Sequence, residues 1–350
     1  MKKLIIACFT VLSANSAQAQ ETGMKLWYDR PATQWVESLP LGNGRLGAMV
    51  YGDPIHEEFQ LNEETIWGGS PYNNTNPKAK EALPQIRQLI FEGRNKEAQA
   101  LCGPNICSQT ANGMPYQTVG SLHLDFEGIS SYSNYYRELD IEKAVTTTRF
   151  TAGGVTYTRE AFTSFPDQLL IIRLTASEKG KLSFTARYST PYQENITKSI
   201  SSRKELQMDG KANDHEGIEG KVQFTALTRI ERNGGHMESV SDTLLRVRNA
   251  NSVTIYVSIG TNFINYKDIS GNARKTAQTY LKNAGKNYLK AKEAHCATYG
   301  KWFNRVSLDL GSNAQAAKPT DVRVHEFASA FDPQLAALYF QFGRYLLICS

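Results

Sequence analysis

LPLGNGRLGAMVYGDPIHEEFQLNEETIW, residues 39–67, combines closely spaced glycines with two apolar runs. Leu46 to Tyr51 alternates as a half-buried strand does, and a second strand, Glu58 to Leu61, follows a Gly-Asp-Pro turn. The glycines that precede the first strand suit positions where the backbone takes a positive φ or passes close to another surface. The stretch therefore predicts a loop and a β-hairpin.

The same stretch brings polar side chains next to an indole ring. A pyranose is held by directional hydrogen bonds to its hydroxyls and by stacking of its C–H face on an aromatic ring. We therefore interpret one set of residues as substrate-binding: Asn43, Arg45, Asn62, Glu63, Thr65 and Trp67. The alternative is that Trp67 is a core residue, that the glycines only form turns, and that the loop only joins two domains.

Strand signals continue through residues 24–268, which we expect to form one large antiparallel β-sandwich. Turn signals such as Gly153-Gly154 separate short segments of period-two or continuous apolar character. These segments are 119–126, 136–141, 145–150, 155–162, 169–175, 182–188, 222–230, 244–247 and 253–259. One helical insertion interrupts them near residues 78–101, where apolar residues recur at helical spacing.

Helical periodicity replaces the strand pattern beyond the sandwich. Residues 272–306 are predicted to form a helical linker, either one long amphipathic helix or two helices that meet near Gly285. His295 lies on the apolar stripe of this linker and is interpreted as a packing residue. The segment 320–350 contains a helix from Asp332 that is apolar nearly all round. That pattern predicts a helix that is buried on more than one side. Most of its apolar side chains are expected to lack packing partners within this chain.

Several blocks of the sequence carry a family resemblance. They are the stretch 39–67 with Leu26-Trp27-Tyr28, Pro31-Ala32, Trp35 and Glu37 before it, and KWFNRVSLDLG (301–311), PTDVRV (319–324) and DPQLAALYFQFGRYLLICS (332–350) near the end. In this order they resemble glycoside hydrolase family 95, the bacterial and plant α-L-fucosidases. The resemblance implies a mainly β fold, in which the sandwich and helical linker precede the first helices of a truncated (α/α)6 barrel at residues 320–350.

The resemblance also implies an inverting hydrolysis, which needs a general acid and a base that activates water. In this family the acid is a glutamate, an aspartate with asparagine assistance handles the water, and all of them lie in the barrel. None of the family's motifs for them appears before Ser350, so no catalytic residue is expected in this chain. Glu63 and Glu64 do not replace them, since neighbours on a strand point to opposite faces. A C-terminal catalytic domain is expected to be missing, and with it the activity.

The expected substrate is therefore a fucosylated oligosaccharide or glycan, of host or plant origin, from which the family releases L-fucose. Other functions stay open. The sandwich alone can serve as a non-catalytic carbohydrate-binding module. A related α-L-galactosidase or an inverting α-glycoside phosphorylase has a similar domain plan.

The N-terminus has the pattern of a signal peptide at residues 1–19. It carries a lysine-bearing n-region, an apolar run from Leu4 to Leu12, and an Ala-Gln-Ala site at which cleavage is predicted after Ala19. The apolar run is too short to span a bilayer, which takes roughly 20 residues. We therefore expect a periplasmic or extracellular protein without a membrane anchor; a lipoprotein modified at Cys8 is the alternative.

The remaining composition adds little chemistry. In an oxidising compartment Cys102 and Cys107 are close enough in sequence for a disulfide that closes a small loop, whereas Cys296 and Cys349 fit buried positions in helices. No spacing of histidine and cysteine indicates a metal site, and no Rossmann or P-loop pattern indicates a cofactor. The formal net charge of +5 comes without a basic run, so nucleic acid is not an expected partner.

Overall fold

The computed structural model describes residues 23–108, 113–192, 194–201, 205–284 and 287–350. The predicted signal peptide, with Cys8, and the predicted helix break at Gly285 lie outside the described residues. Within them, the chain is mainly β, and two antiparallel sheets share one hydrophobic core. This confirms the predicted fold class.

Strands and helices are numbered along the chain. The strands are β1 (Lys25–Tyr28), β2 (Leu39–Gly42), β3 (Leu46–Val50), β4 (His56–Glu63), β5 (Gly120–Phe126), β6 (Ser133–Asp140), β7 (Val145–Ala152), β8 (Val155–Thr163), β9 (Leu170–Ala176), β10 (Leu182–Ser189), β11 (Ile196–Ile200), β12 (Leu206–Lys211), β13 (Gln223–Asn233), β14 (His236–Ser241), β15 (Leu244–Ala250) and β16 (Ser252–Thr261). The larger sheet has the order β1-β6-β7-β8-β9-β16-β13-β12-β11, and the smaller sheet β14-β15-β10-β5-β4-β3-β2. Every predicted strand occurs; β1, β2, β11, β12 and β14 are additional.

The helices are α1 (Ala79–Phe91), α2 (Asn95–Asn105), α3 (Ala273–Leu281), α4 (Tyr288–Phe303), α5 (Thr320–Glu326) and α6 (Pro333–Cys349). The predicted insertion consists of two helices, because the chain turns between them at Gly93, whose φ is +76°. The linker segment also contains two helices, α3 and α4. The side-chain oxygens of Asn272 and Asn287 cap these helices by accepting backbone N–H groups. Of the two possibilities for this segment, the structure therefore contains two helices and not one long helix.

Alternation along the strands places one face of each sheet in the core. In β4 every second side chain is buried, and two of these, Phe59 and Leu61, pack with apolar residues of both sheets. Strand β16 is different, because nearly all of its side chains are buried. Its second face lies against α3, which packs with α4 over the outer side of the larger sheet. The fold therefore has three layers at this point: sheet, sheet and helices.

Helix α6 is buried on one face. Leu335, Leu338 and Tyr345 are buried in the described chain, and Phe342 and Ile348 are partly buried against the core. The expectation that most of the apolar side chains of this helix lack partners is therefore wrong, because the helix packs against β2 and α4. The opposite face remains exposed at Tyr339, Phe340, Leu346 and Leu347. No described helix combines the length and the apolar character that a bilayer crossing requires.

His295 in α4 is fully buried, which agrees with the packing role read from the sequence. Its Nε2 lies 3.0 Å from the carbonyl oxygen of Lys143 and 3.1 Å from that of Ala144, so Nε2 carries the proton. The ring also packs against Phe162, with the ring centroids 4.8 Å apart. Burial lowers the pKa of His295 to about 4, although the carbonyl contacts oppose this shift.

We expect His295 to make the protein sensitive to mild acid. His295 takes up a proton near pH 6.5 in the unfolded protein but only near pH 4 in the folded protein. Its contribution to the free energy of unfolding is therefore complete above pH 6.5 and is lost as the pH falls towards 4. Between pH 7 and pH 5 this costs about 2 kcal/mol of unfolding free energy. Urea titrations at the two pH values should show a shallower pH dependence for His295→Gln. The same dependence in His295→Gln and in the exposed control His236→Gln would contradict the assignment.

Candidate functional site

The turn between β2 and β3 is fixed by Asn43. Its side-chain oxygen accepts the backbone N–H of Leu46 at 2.8 Å, and its amide nitrogen donates to the carbonyl oxygen of Ser164 at 2.9 Å. Gly44, with φ +87°, completes the turn. Asn43 is therefore a buried residue that ties the hairpin to the segment after β8. The polar atoms of its side chain are thus used in hydrogen bonds inside the protein.

Arg45 has a similar structural role. Its guanidinium donates to the side-chain oxygen of Gln168 at 2.9 Å and to the carbonyl oxygen of Ile259 at 2.7 Å. It also lies over the ring of Tyr280, 4.2 Å from the ring centroid. The charged group of Arg45 thus joins the hairpin to the larger sheet and to α3.

Glu63 is buried beneath the loop that follows β4. Its carboxylate accepts hydrogen bonds from the backbone N–H of Thr65 at 2.8 Å and from the Thr65 hydroxyl at 2.6 Å, and it lies 3.5 Å from Arg45. Burial raises the pKa of Glu63, whereas Thr65 and Arg45 favour the charged form. Glu64 is exposed, so the two carboxylates point to different sides as strand geometry predicts. Glu63 therefore supports the loop from below.

A cavity of about 390 Å³ lies beside this hairpin and is called the first cavity. Trp67, which is 46% exposed, forms part of its wall. The indole N–H donates to the carbonyl oxygen of Glu64 at 2.8 Å, and the ring meets Tyr116 nearly edge-on with the centroids 5.2 Å apart. These two contacts hold the indole at the protein surface. The alternative that Trp67 is a core residue is therefore wrong.

Asn62 supplies an amide to the first cavity. Among the described residues, nothing forms a hydrogen bond with its buried side-chain oxygen. A buried amide oxygen without a partner is unfavourable, by roughly 1–3 kcal/mol, unless a ligand donates to it. Asn62 thus brings to this cavity an amide whose oxygen has no hydrogen-bond partner among the described residues.

The opposite wall of the first cavity is the C-terminal end of α6. The backbone N–H of Gly44 donates to the carbonyl oxygen of Cys349 at 3.0 Å, and the Tyr345 hydroxyl donates to the carbonyl oxygen of Pro40 at 2.7 Å. A Cβ atom at Gly42 would lie 2.1 Å from the Cys349 oxygen, so only glycine permits this close approach. The hairpin glycines therefore allow the helix to form one side of the cavity.

Of the six residues predicted from the sequence, Asn62, Arg45 and Trp67 line the first cavity, while Asn43, Glu63 and Thr65 do not. Glu64 and Tyr116 are among the lining residues that were not predicted. Glu64 follows the predicted residue Glu63 in the sequence, so the run of polar residues after β4 already indicated it. Tyr116 comes from the segment before β5 and reaches the site through an antiparallel bridge with Trp67, for which the sequence gives no local signal. Burial raises the pKa of Tyr116 to about 12, with Glu63 as the next cause.

The described residues of this cavity suit binding better than hydrolysis. Its lining contains a single acidic side chain, Glu64, whereas glycoside hydrolysis normally uses a pair of carboxyl groups. In the part of the chain that the structure describes, no group of three or more histidine, cysteine or acidic residues is arranged to hold a metal ion. The described lining therefore offers aromatic, amide and guanidinium groups together with one carboxylate.

The predicted disulfide is not formed in this structure, in which Cys102 and Cys107 are free thiols. Cys102 packs in the small cluster between α1 and α2, whereas Cys107 is exposed just after α2. The backbone N–H of Cys107 donates to the carbonyl oxygen of Cys102 at 3.0 Å, at the C-terminal end of α2.

Two family models match the chain in consecutive segments. The N-terminal domain of glycosyl hydrolase family 65 matches residues 26–266, and the catalytic domain of glycosyl hydrolase family 95 matches residues 287–350. A solved structure named as a kojibiose phosphorylase from the human microbiome has the same fold at 12% identity. Its TM-score is 0.51, over 85% of this chain and 40% of that one.

The curated relatives include alpha-L-fucosidase 2 of Arabidopsis thaliana, which is 33% identical over 93% of this chain. A probable alpha-fucosidase A of Aspergillus niger is 29% identical over the same share. The chain spans only 42% and 43% of the length of these two proteins. With an N-terminal sandwich followed by the start of that catalytic domain, the chain belongs to glycoside hydrolase family 95, of which it represents the N-terminal portion.

Proposed function

We propose that this chain is the front part of an exported, inverting α-L-fucosidase that releases L-fucose from host or plant glycans. The observation that carries the proposal is the first cavity, in which Asn62 and Trp67 face the end of α6. An acceptor without a partner and an exposed indole ring match the two needs of a pyranose, hydrogen bonds for its hydroxyls and a surface for its C–H face. The names of the relatives supply the identity of the sugar.

The catalytic acid and base are proposed to come from further helices of the barrel. The exposed face of α6 supports this, because Tyr339 and Leu347 are 78% and 79% exposed and Phe340 and Leu346 lie beside them. A continuous apolar face of this kind is typical of a surface that another element covers. Additional helices on that face would place their carboxylates next to the first cavity, since α6 forms one wall of it.

The proposal of export is based on residues 1–19, in which charged, apolar and small-residue regions follow one another in the order found in signal peptides. A periplasmic or extracellular location would bring the enzyme to glycans outside the cytoplasm. Fractionation of cells that express the complete reading frame tests this step. A mature N-terminus at Gln20 in the exported fraction is the expected result, and an uncleaved cytoplasmic product would contradict it.

The sugar-binding role is tested with the polypeptide encoded by the complete reading frame. Trp67→Ala and Asn62→Ala are each expected to lower kcat/KM for a fucosylated oligosaccharide at least tenfold, about 1.4 kcal/mol. Trp67→Phe should retain more activity than Trp67→Ala because it keeps a stacking ring. Phe91→Ala, which removes an exposed ring on α1, serves as the control. Unchanged kinetics in both alanine variants would remove the loop from the sugar site.

Product analysis separates the other functions. L-Fucose with an inverted anomeric configuration, in the same yield with and without phosphate, supports the proposal. A sugar phosphate that forms only with phosphate would indicate a phosphorylase, and preferential release of L-galactose would indicate an α-L-galactosidase. Binding of the oligosaccharide without any released sugar would indicate a binding module. Each of these three results would overturn the proposed reaction.

A further inference from the structure

A second cavity, of about 300 Å³, lies next to the first. Trp67 lines both cavities. Tyr72 extends the wall that Trp67 begins, and Phe263 and Tyr266 come from the loop after β16. Four aromatic side chains from two separated parts of the sequence therefore meet at one opening beside the candidate sugar site.

The second cavity has the chemistry of a neutral sugar site. Thr65 and Ser70 add hydroxyl groups to the four aromatic rings, and the other described lining residues are apolar or glycine. None of these lining residues carries a charge. Aromatic faces bind the C–H groups of a pyranose, and hydroxyls exchange hydrogen bonds with it, whereas a phosphate or carboxylate ligand requires cationic partners.

The loop after β16 is braced by hydrogen bonds at its base, although its aromatic side chains are exposed. Asn262 accepts the backbone N–H of Gln223 at 2.8 Å and donates to the carbonyl oxygen of Ile269 at 2.9 Å, so it closes the base of the loop. Tyr266 is 74% exposed, and the Lys267 ammonium lies 5.1 Å from its ring centroid. A loop that is braced from within, yet presents its rings to solvent, is preorganised for a ligand.

A direct contact fixes the spacing of the two walls. The hydroxyls of Thr65 and Thr261 are 2.7 Å apart, and Thr65 also donates to the buried carboxylate of Glu63. The loop that carries Trp67 and the loop that carries Tyr266 are thus joined at their bases. The predicted site residue Thr65 therefore contributes to the second cavity instead of the first.

We propose that the second cavity binds a neutral pyranose unit of the same oligosaccharide whose terminal sugar occupies the first cavity. Because Trp67 belongs to both cavities, adjacent units of one chain can contact its ring. The inference depends on the proposed function for the identity of the terminal sugar and for the reaction. It adds that the sandwich recognises the part of the substrate that leaves, and so selects oligosaccharides over small fucosides.

The test compares two substrates of the enzyme encoded by the complete reading frame. Tyr266→Ala is expected to lower kcat/KM about five- to tenfold for a fucosylated neutral oligosaccharide, as expected for the loss of one stacking ring. It should leave kcat/KM for α-L-fucosyl fluoride unchanged, because the leaving group of this substrate is too small to reach the second cavity. Tyr266→Phe should restore the oligosaccharide value, and Phe91→Ala should match the wild type. Equal losses on both substrates, or no loss on either, would overturn the proposal.

A binding measurement on the present chain keeps this inference separate from the reaction. The probe is an unfucosylated neutral tetrasaccharide of galactose, N-acetylglucosamine and glucose, titrated in ligand-observed NMR. The wild type should bind it, and Tyr266→Ala should bind it about five- to tenfold more weakly. If fucose is never released but this difference is found, the proposed reaction fails and the second cavity stands. If the wild type does not bind the tetrasaccharide, the second cavity is not a sugar site.

Discussion

The substitution Arg159→Met is expected to lower the free energy of unfolding by about 3–5 kcal/mol. Arg159 on β8 and Glu57 on β4 form an ion pair between the two sheets at 2.8 Å, and their side chains are only 4% and 1% exposed. Burial lowers the pKa of Arg159 and raises that of Glu57, while their mutual attraction opposes both shifts. Methionine leaves the Glu57 carboxyl in the core without its counter-charge. Denaturant unfolding at pH 7 measures the loss.

Arg159 also supports the turn before β4. Its guanidinium donates to the carbonyl oxygens of Asp53 and Pro54, and Glu57 accepts the backbone N–H of Gly52 at 2.7 Å. The ion pair therefore fixes the turn that leads into the strand carrying the candidate site.

A double substitution distinguishes an unpaired charge from a simple loss of contacts. Glu57→Leu combined with Arg159→Met should be more stable than Arg159→Met alone by at least about 1 kcal/mol, because neither charged group of this pair then remains buried. The control is Arg94→Met, which breaks an exposed pair with Glu97 and should change stability little, since solvent screens such pairs. A loss in Arg159→Met no larger than in Arg94→Met would contradict the burial argument.

The second large effect is expected at Asp332→Ala, which should cost about 3–4 kcal/mol. Asp332 binds the guanidinium of Arg323 through both carboxylate oxygens, at 2.8 and 2.9 Å, and both side chains are 2% exposed. The carboxylate also accepts the backbone N–H of Leu335 at 3.0 Å and so caps α6. Alanine removes the cap and leaves the Arg323 charge with only the Gln334 side-chain oxygen as a polar partner among those contacts. Denaturant unfolding again provides the measurement.

Asparagine at the same position separates the cap from the charge. Asp332→Asn keeps an oxygen that can cap the helix, so its loss should lie between the wild type and Asp332→Ala. The hydrogen bond from Arg323 lowers the pKa of Asp332 below 3.8, so the ion pair stabilises the protein above that pH, and the gain is lost as the pH falls through the folded pKa. The difference in the free energy of unfolding between the wild type and Asp332→Asn should therefore become smaller in acid. A gap that widens in acid, or an Asp332→Ala protein as stable as the exposed control Asp242→Ala, would contradict this account.

The fold class was accessible from the sequence because its signals are local. The strands from β5 to β10 alternate or are continuously apolar, and Gly153-Gly154 marks the turn between β7 and β8. Strands β11 and β14 contain mostly exposed or half-buried residues at the edges of their sheets, so the apolar pattern is absent from them. The two helices of the insertion differ in the same way, since α2 buries only Ala98.

The candidate site was predictable only in part, because polarity does not reveal which side of a strand a residue occupies. Asn43 and Glu63 have the right chemistry for a sugar, but contacts with Ser164 and Arg45 place them inside the protein. Tyr116 and Tyr266 approach Trp67 from distant parts of the chain. Such meetings depend on how the sheets and loops assemble, which no local pattern records.

The position of Trp67 as a wall shared by two cavities has a consequence for engineering. Any substitution of this indole changes the shape of both cavities at once. A side chain that suits the sugar in one cavity must therefore also suit the sugar in the other. Libraries that vary Trp67 alone will therefore change the selectivity for the terminal sugar and the selectivity for the adjacent sugar unit together. Randomising Trp67 jointly with Tyr72, which lines the second cavity but not the first, offers a way to separate the two selectivities.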